Sequence, residues 1–424
     1  MSKWFPRVGS RFDYVVHLTF AMRVSAAALS YVMFVLVGHN SSILTFTEFT
    51  LIFSIVTFCG SLVPVGQQMS AFKYLPPLLA ADSPESRKFL LLHLRVLALS
   101  APAFALGGIV FLFHSIGSQS AYQALVTSLT IVLTGFAEYL FVVSRVTGSM
   151  LWSIFLREII WRCAFIIALG FAQFDGKYFS TVFLTSILFV ATLICAAGLA
   201  ISVLNVFRGH LGVGTTPTSK LPRGELKYFF GITILNSALV QIDPLLLGAV
   251  SLTPEIAAYF LAQRAIQLLS FFSYAFSMNL VDIVSLHFSR NEMAQIANLS
   301  RQVSRKAGLL SLATSIVMCI FAGDIIGLFR PDLRSYAALL PVLCIGHVVY
   351  AFGGLQSTIA TLCGLEGEYM TWRSIVVFVF TLAKLAAAFS GRIMLFALIS
   401  GAEMCSMTVI GVALARARFR IWIV

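Results

Sequence analysis

The chain has 424 residues, 59% of them hydrophobic and 11% charged, with a net charge of +12 and a mean hydropathy of +0.93. Soluble domains carry about 25% charged residues. A water-soluble enzyme or a nucleic-acid-binding domain is therefore excluded, and an all-α integral membrane protein is expected along the whole length.

A spanning helix needs about 20 consecutive apolar residues. That ruler predicts twelve spans, near 15–37, 49–66, 89–113, 121–143, 151–172, 179–206, 227–250, 257–285, 307–329, 336–362, 374–390 and 393–415. The first, "LTFAMRVSAAALSYVMFVLVG", is too long for the apolar region of a secretory signal and reads as an uncleaved helix. The second is interrupted by Pro64 and Gly66, and the last two are separated only by Ser390-Gly391-Arg392. The most polar connection, "RGHLGVGTTPTSKLPRGELK", has the Gly, Pro and Thr content of a linker. It divides the chain into an N-terminal six-helix lobe (1–207), a linker (208–226) and a C-terminal six-helix lobe (227–424). Glu48 and Glu255 stand at equivalent places in the two halves, which hints at an internal repeat.

The basic residues orient the spans, because cytoplasmic loops collect Lys and Arg. With the N-terminus inside, nineteen fall on the cytoplasmic side: Lys3, Arg7, Arg11, Lys73, Arg87, Lys88, Arg145, Arg208, Lys220, Arg223, Lys227, Arg290, Arg301, Arg305, Lys306, Arg373, Arg416, Arg418 and Arg420. Four fall outside: Lys177, Arg330, Arg334 and Arg392. Both termini are therefore expected in the cytoplasm.

Six basic residues remain within the spans: Arg23, Arg95, Arg157, Arg162, Arg264 and Lys384. Arg95, Arg157 with its neighbour Glu158, and Lys384 lie shallow enough for their heads to snorkel to the interface. Arg162 follows Glu158 at i+4 and forms either a self-neutralising pair with it or a basic group on a wet cavity. Arg23 is central if its helix starts near Asp13 and can snorkel if it starts at Leu18; it has no acid one turn away. Arg264 is deep, with Phe260 and Leu268 one turn to either side and Gln263 and Gln267 beside it; a charge so placed faces a bundle interior, a partner on another helix or a hydrated cavity. Arg23, Arg264, Arg162 and Lys384 are thus the candidate cavity cations. Asp243, before Pro244, Glu158 and Glu403 are candidates for ion coupling or for pairing, Asp243 with Arg264 among the possibilities; Glu403 reads as a buried carboxyl between helices. Guanidinium suits phosphate and pyrophosphate because its planar fork binds two oxygens at once.

The seven cysteines stand singly in apolar segments and the histidines lack paired metal spacing, so no metal and no cofactor are implied. There is no GxxxxGK[ST], HExxH or GxSxG.

The stretch "FAGDIIGLFRPDLRSYAALLPVLCIGHVVYAFGGLQSTIATLCGLEGEYM", with "VQIDPLLLGAVSLTPEIAAYFLAQRAIQLLS" and "FLREIIWRCAFII", resembles the ninth and tenth, seventh and eighth, and fifth helices of polysaccharide flippases in the multidrug/oligosaccharidyl-lipid/polysaccharide exporter superfamily. The resemblance implies twelve helices in two lobes around a central cavity, and alternating access that moves an undecaprenyl-pyrophosphate-linked sugar across the bacterial inner membrane. Arg23 and Arg264 occupy places that match cavity arginines on the first and eighth helices of the lipid II branch. The drug-exporting branch commonly has an acid within the first helix, where this chain has Arg23; the coupling ion is left open.

The expectation is a flippase, not an enzyme, for an O-antigen or exopolysaccharide repeat unit. Its partners would be a lipid-linked anionic glycan, the bilayer and other polysaccharide-assembly proteins, with no nucleic acid. The rivals are a cation-coupled exporter of small organic solutes or drugs, and a membrane polysaccharide polymerase or ligase. The latter calls for a large outer loop with catalytic groups, and every expected outer loop is short.

Overall fold

The computed structural model describes residues 10–80, 85–117, 120–174, 178–208, 226–250, 254–278, 280, 284, 287–288 and 290–420. Most of the linker expected at 208–226 lies outside them. The described residues are almost wholly helical, and helical segments occupy all twelve expected positions. Nine are long and apolar enough to cross a membrane. Of the others, one changes its helical type midway and one is cut into two short pieces.

The chain packs as two compact units, Met1–Leu252 and Thr253–Val424. The first holds α1 (Ser10–His39), α2 (Ile43–Leu62), α3 (Gln67–Ala80), α4 (Glu85–Ile116), α5 (Ala121–Val146), α6 (Met150–Phe155), a π-helical turn (Leu156–Ile160), α7 (Trp161–Phe174), α8 (Thr181–Arg208) and α9 (Leu226–Val250). The hub is α5, which packs against α2, α3, α4 and α8. Without a hydrophobic drive between helices in lipid, close contact rests on small residues and interhelical hydrogen bonds. Both are present at α5. Ser144 on α5 bonds Ser202 on α8 at 2.8 Å and accepts from Ser153 on α6 at 2.7 Å. The core around it runs through Ile52, Val56, Leu97, Ile131, Tyr139 and Leu245.

The break expected at Pro64 and Gly66 is real, with Gly66 at φ +78°. Ser100 of α4 donates to the Val63 carbonyl at 2.5 Å. The chain then resumes as α3, past the expected end of the second span. α9 packs against α2, α3 and α4, and Ser61 of α2 donates to Ser237 of α9 at 2.7 Å. By packing, the division of the chain therefore falls one helix later than the linker suggests. Within α9 the helix runs on through Pro244, which has no N–H to offer the Val240 carbonyl.

The second unit holds α10 (Pro254–Met278), α11 (Met293–Ile320), α12 (Ala322–Phe329), a 3-10 turn (Pro331–Tyr336), α13 (Leu339–Phe352), α14 (Gln356–Leu362), α15 (Glu366–Phe389) and α16 (Ile393–Phe419). Its hub is α13, which packs against α10, α11 and α16. Counted by spans, the fourth of each half packs on the second, third and sixth, so the packing pattern repeats. α13 stops at Gly353-Gly354, the second glycine at φ +62°. Ser304 of α11 donates to the Phe352 carbonyl at 2.5 Å, and Leu355 N–H donates to Ser300 at 3.2 Å. The freed backbone groups are thus satisfied within the unit, as a helix broken in lipid requires.

Glu48 accepts from the Thr181 hydroxyl at the start of α8, and Glu255 accepts from Tyr336 at 3.0 Å. Each acid ties the start of one spanning helix to another segment of its own unit.

Lys384 does not snorkel. Its side chain is 1% exposed, and Nζ donates at 2.6 Å to Glu403 on α16, itself 4% exposed. The lysine expected on a cavity, and the glutamate expected as a lone carboxyl, are one buried ion pair between α15 and α16. Removing one member of such a pair strands the other charge. Lys384→Met or Glu403→Met alone should destabilise the protein by about 3–5 kcal/mol, and the double variant should recover most of that. Thermal unfolding of the four proteins in detergent checks it; additive losses would show that the pair carries no coupling.

α13 and α16 touch backbone to backbone: a Cβ on Gly346 would lie 2.7 Å from the Gly401 carbonyl oxygen and 2.8 Å from its Cα. Gly346→Ala must push the two helices apart and should cost about 1–3 kcal/mol. A melting temperature equal to wild type would show that the contact yields freely.

Candidate functional site

The helix that opens at Met150 does not continue as a regular α-helix. Residues Leu156–Ile160 form a π-helical turn before α7 begins. Such turns are rare and frequent at functional sites. This one holds Arg157 and Glu158 and leads into Arg162.

Arg157 reaches across to α5. Its Nη2 lies 2.7 and 3.0 Å from the two oxygens of Glu138, and its Nε 3.1 Å from Oε1. Its Nη1 donates to Glu158 at 2.9 Å, and its guanidinium carbon stands 4.6 Å from the centre of the Phe141 ring. Arg162 donates from Nη1 to the Glu158 carboxylate at 3.3 Å and to the Glu158 backbone carbonyl. Its Nε donates to Ser30 of α1 at 2.7 Å, and Ser30 in turn donates to the Ala26 carbonyl at 2.9 Å. The Trp161 ring lies 4.5 Å from the Arg162 guanidinium carbon. Arg23, two turns before Ser30 on the same side of α1, acts electrostatically on Glu158 together with Arg157 and Arg162.

Charges on α1, α5, the π turn and α7 therefore form one network, with guanidinium groups of Arg23, Arg157 and Arg162 and carboxylates of Glu138 and Glu158. Arg157 and Glu138 are 32% and 25% exposed, and Glu158 and Arg162 each 16%. The network is partly open at the Glu138 side and more covered at the Arg162 side. Behind it, Tyr139 of α5 and His93 of α4 share a hydrogen bond at 3.1 Å, with the Phe89 ring 4.0 Å from the imidazole.

Several expectations change here. Arg157 and Glu158 do not snorkel; they lock α5 to the π turn. The Glu158–Arg162 pair forms, joined by a third helix through Ser30. α1 starts at Ser10, ahead of Asp13, and its 30 residues make it about 45 Å long, more than the hydrocarbon core of about 30 Å. Arg95 is exposed, as a snorkelling residue would be. Glu138 escapes sequence reasoning: it stands alone in "TGFAEYLFVV", and only packing reveals its partner 19 residues on. A lone acid in the middle of an apolar span is the available signal.

In the second unit Arg264 has a partner on its own helix, against expectation. Its Nη1 donates to Gln267 at 3.0 Å, and its guanidinium carbon stands 4.7 Å from the Phe260 ring centre. The preceding residues, Ile256 to Ala262, are buried, as is Gln263, so α10 is embedded up to the arginine. Asp243 is buried on α9, in the first unit, beside the buried Gln241. The described residues therefore place the candidates in three settings: the five-charge network, the Arg264–Gln267–Phe260 cluster and the Lys384–Glu403 pair.

No protein-family model matches the chain, and no curated protein matches its sequence. Solved structures do match. A multidrug resistance MATE family transporter of the MOP superfamily, in an inward-facing conformation, aligns with a TM-score of 0.68 at 13% identity, over 95% of this chain and 98% of that one. The lipid II flippase MurJ, in an inward closed conformation, aligns with a TM-score of 0.70 at 14% identity, over 94% of this chain and 87% of that one. The Vibrio cholerae MATE transporter VcmN, as a mutant, aligns with a TM-score of 0.65 at 15% identity, over 97% and 98%. The chain has the fold of these membrane transporters.

Proposed function

We propose that the protein is a flippase for a lipid-linked anionic glycan, an undecaprenyl-pyrophosphate-linked O-antigen or exopolysaccharide repeat unit of the bacterial inner membrane, with both termini in the cytoplasm. The carrying observation is the π turn that gathers the guanidinium groups of Arg157 and Arg162 with Glu138 and Glu158 in one partly exposed network within the helical bundle, with Arg23 acting on the same Glu158 carboxylate. Guanidinium groups stay ionised at any working pH, and a bilayer tolerates them only where they are paired or hydrated. Clustered guanidinium groups suit a diphosphate, which accepts several charge-assisted hydrogen bonds at once. Arg264, within the second unit, is a further proposed anion contact, on the strength of the resemblance around "YFLAQR". Lys384 has no part in it, because Glu403 already neutralises it. The name of one structural neighbour, the lipid II flippase MurJ, specifies a lipid substrate.

A cation-coupled exporter of small solutes is the second reading, and one observation favours it: Glu138 and Glu158 grip the same guanidinium and could exchange it for a proton or sodium ion. The two readings part on the first helix, which carries Arg23 where a coupling acid would be wanted.

Arg162→Gln and Arg264→Gln should each lower surface polysaccharide about 10- to 100-fold at unchanged protein level, since a hydrogen bond to a charged group contributes about 1.5–3 kcal/mol. Lysine at either position should restore little, because it lacks the planar fork. Complementation of a flippase-deficient strain measures this. Normal polysaccharide from both glutamine variants would overturn the reading, and rescue of drug sensitivity by the wild type would move it to the exporter.

A further inference from the structure

A groove of about 700 Å³ runs along the second unit between α13 and α16. Its walls are apolar, from Val349 and Phe352 on α13 and Val409, Val412 and Ala413 on α16, and Arg416 stands at one end. The groove has a local cause. α13 stops at Phe352, the chain bends at Gly353-Gly354 into α14, which packs back on α16, and α16 runs on with Ala413 and Ala417 lining the groove. The size falls within the range of ligand pockets, about 300–1,000 Å³.

The depth of the groove identifies what meets it. α16 has 27 residues, so it is about 40 Å long, against a hydrocarbon core of about 30 Å. Its last turn, with Arg416 and Arg418 and the following Arg420, therefore reaches headgroup level. Val409, 62% exposed, lies about 10 Å beneath the same surface. One end of the groove is at the height of phosphates and the other at the height of acyl chains.

We propose that this groove is a binding site for an acidic glycerophospholipid of the leaflet in which Arg416 lies. The acyl chain runs along Val349, Phe352, Val409 and Val412, and the phosphate rests on the Arg416 guanidinium. Charge complementarity selects the acidic class. Every phospholipid offers a phosphate, but a zwitterionic headgroup brings its own ammonium toward three arginines, and an acidic one does not. Basic residues beside a spanning helix each favour anionic lipid by about fivefold, the equivalent of about 1 kcal/mol. The inference does not depend on which substrate the protein carries.

The test uses the full chain in nanodiscs of equal phosphatidylglycerol and phosphatidylethanolamine, with retained lipid counted by native mass spectrometry after release. Wild type should keep phosphatidylglycerol at least about fivefold over phosphatidylethanolamine. Arg416→Gln should lower that preference about fivefold. Val409→Trp, which fills the groove from an exposed position, should remove both lipids while leaving the gel-filtration profile unchanged. Equal retention of the two lipids by wild type, or unchanged retention in both variants, would overturn the proposal. So would displacement of phosphatidylglycerol by a much lower concentration of polyprenyl phosphate, which would give the groove to the transported lipid instead.

Discussion

Fixed positive charge inside a hydrocarbon layer is the constraint around which this structure is organised. An arginine cannot shed its proton, so the fold must supply partners or water wherever one is buried. Arg157, Arg162 and Arg264 are each met by the same three devices: an acceptor on a neighbouring turn or helix, an aromatic face beneath the guanidinium, and partial exposure. The aromatic faces matter because a ring attracts a cation without needing hydration itself. Phe141, Trp161 and Phe260 sit at 4.5–4.7 Å for this reason.

The two units answer the constraint differently. In the second, Lys384 and Glu403 cancel one another at 1% and 4% exposure. Such a pair holds α15 to α16 and offers nothing to a ligand, since desolvating it further gains nothing. In the first, Arg157 and Arg162 share Glu138 and Glu158 in a network that remains partly exposed. The same residue types thus give a dry pair in one unit and an accessible network in the other, and the difference between them is access.

Most of the architecture is legible in the chain, because apolar runs of about 20 residues and the distribution of Lys and Arg are consequences of the bilayer itself. Breaks are legible where the chain announces them, as at Pro64 and Gly66. The π turn at Leu156–Ile160 is not, since nothing in "LREII" distinguishes it from an ordinary helical turn. Long-range partners are the other blind spot. Lys384 looks shallow by its distance from the helix end, but exposure depends on what packs beside it, and Glu403 is on another helix. Glu138 and Ser30 lie beyond reach for the same reason: depth follows from the sequence one helix at a time, whereas pairing is a property of several helices together. The place of α9 is hidden likewise, because linker composition says where the chain is loose and not which neighbours it later meets.

The repeated packing pattern gives a last step. α5 and α13 each serve as hub for the second, third and sixth spans of their half, yet α5 is continuous and carries Glu138, while α13 is broken at Gly353-Gly354 and carries no acid. The shared pattern belongs to the fold, and the fold is common to transporters of unlike substrates. The choice of substrate must then be set by residues that the pattern leaves unconstrained. Arg157, held by the hub's lone acid, is such a residue, and Arg23 on the first helix is another. Both add permanent charge of the sign that attracts a phosphate, at positions where packing alone would be better served by leucine.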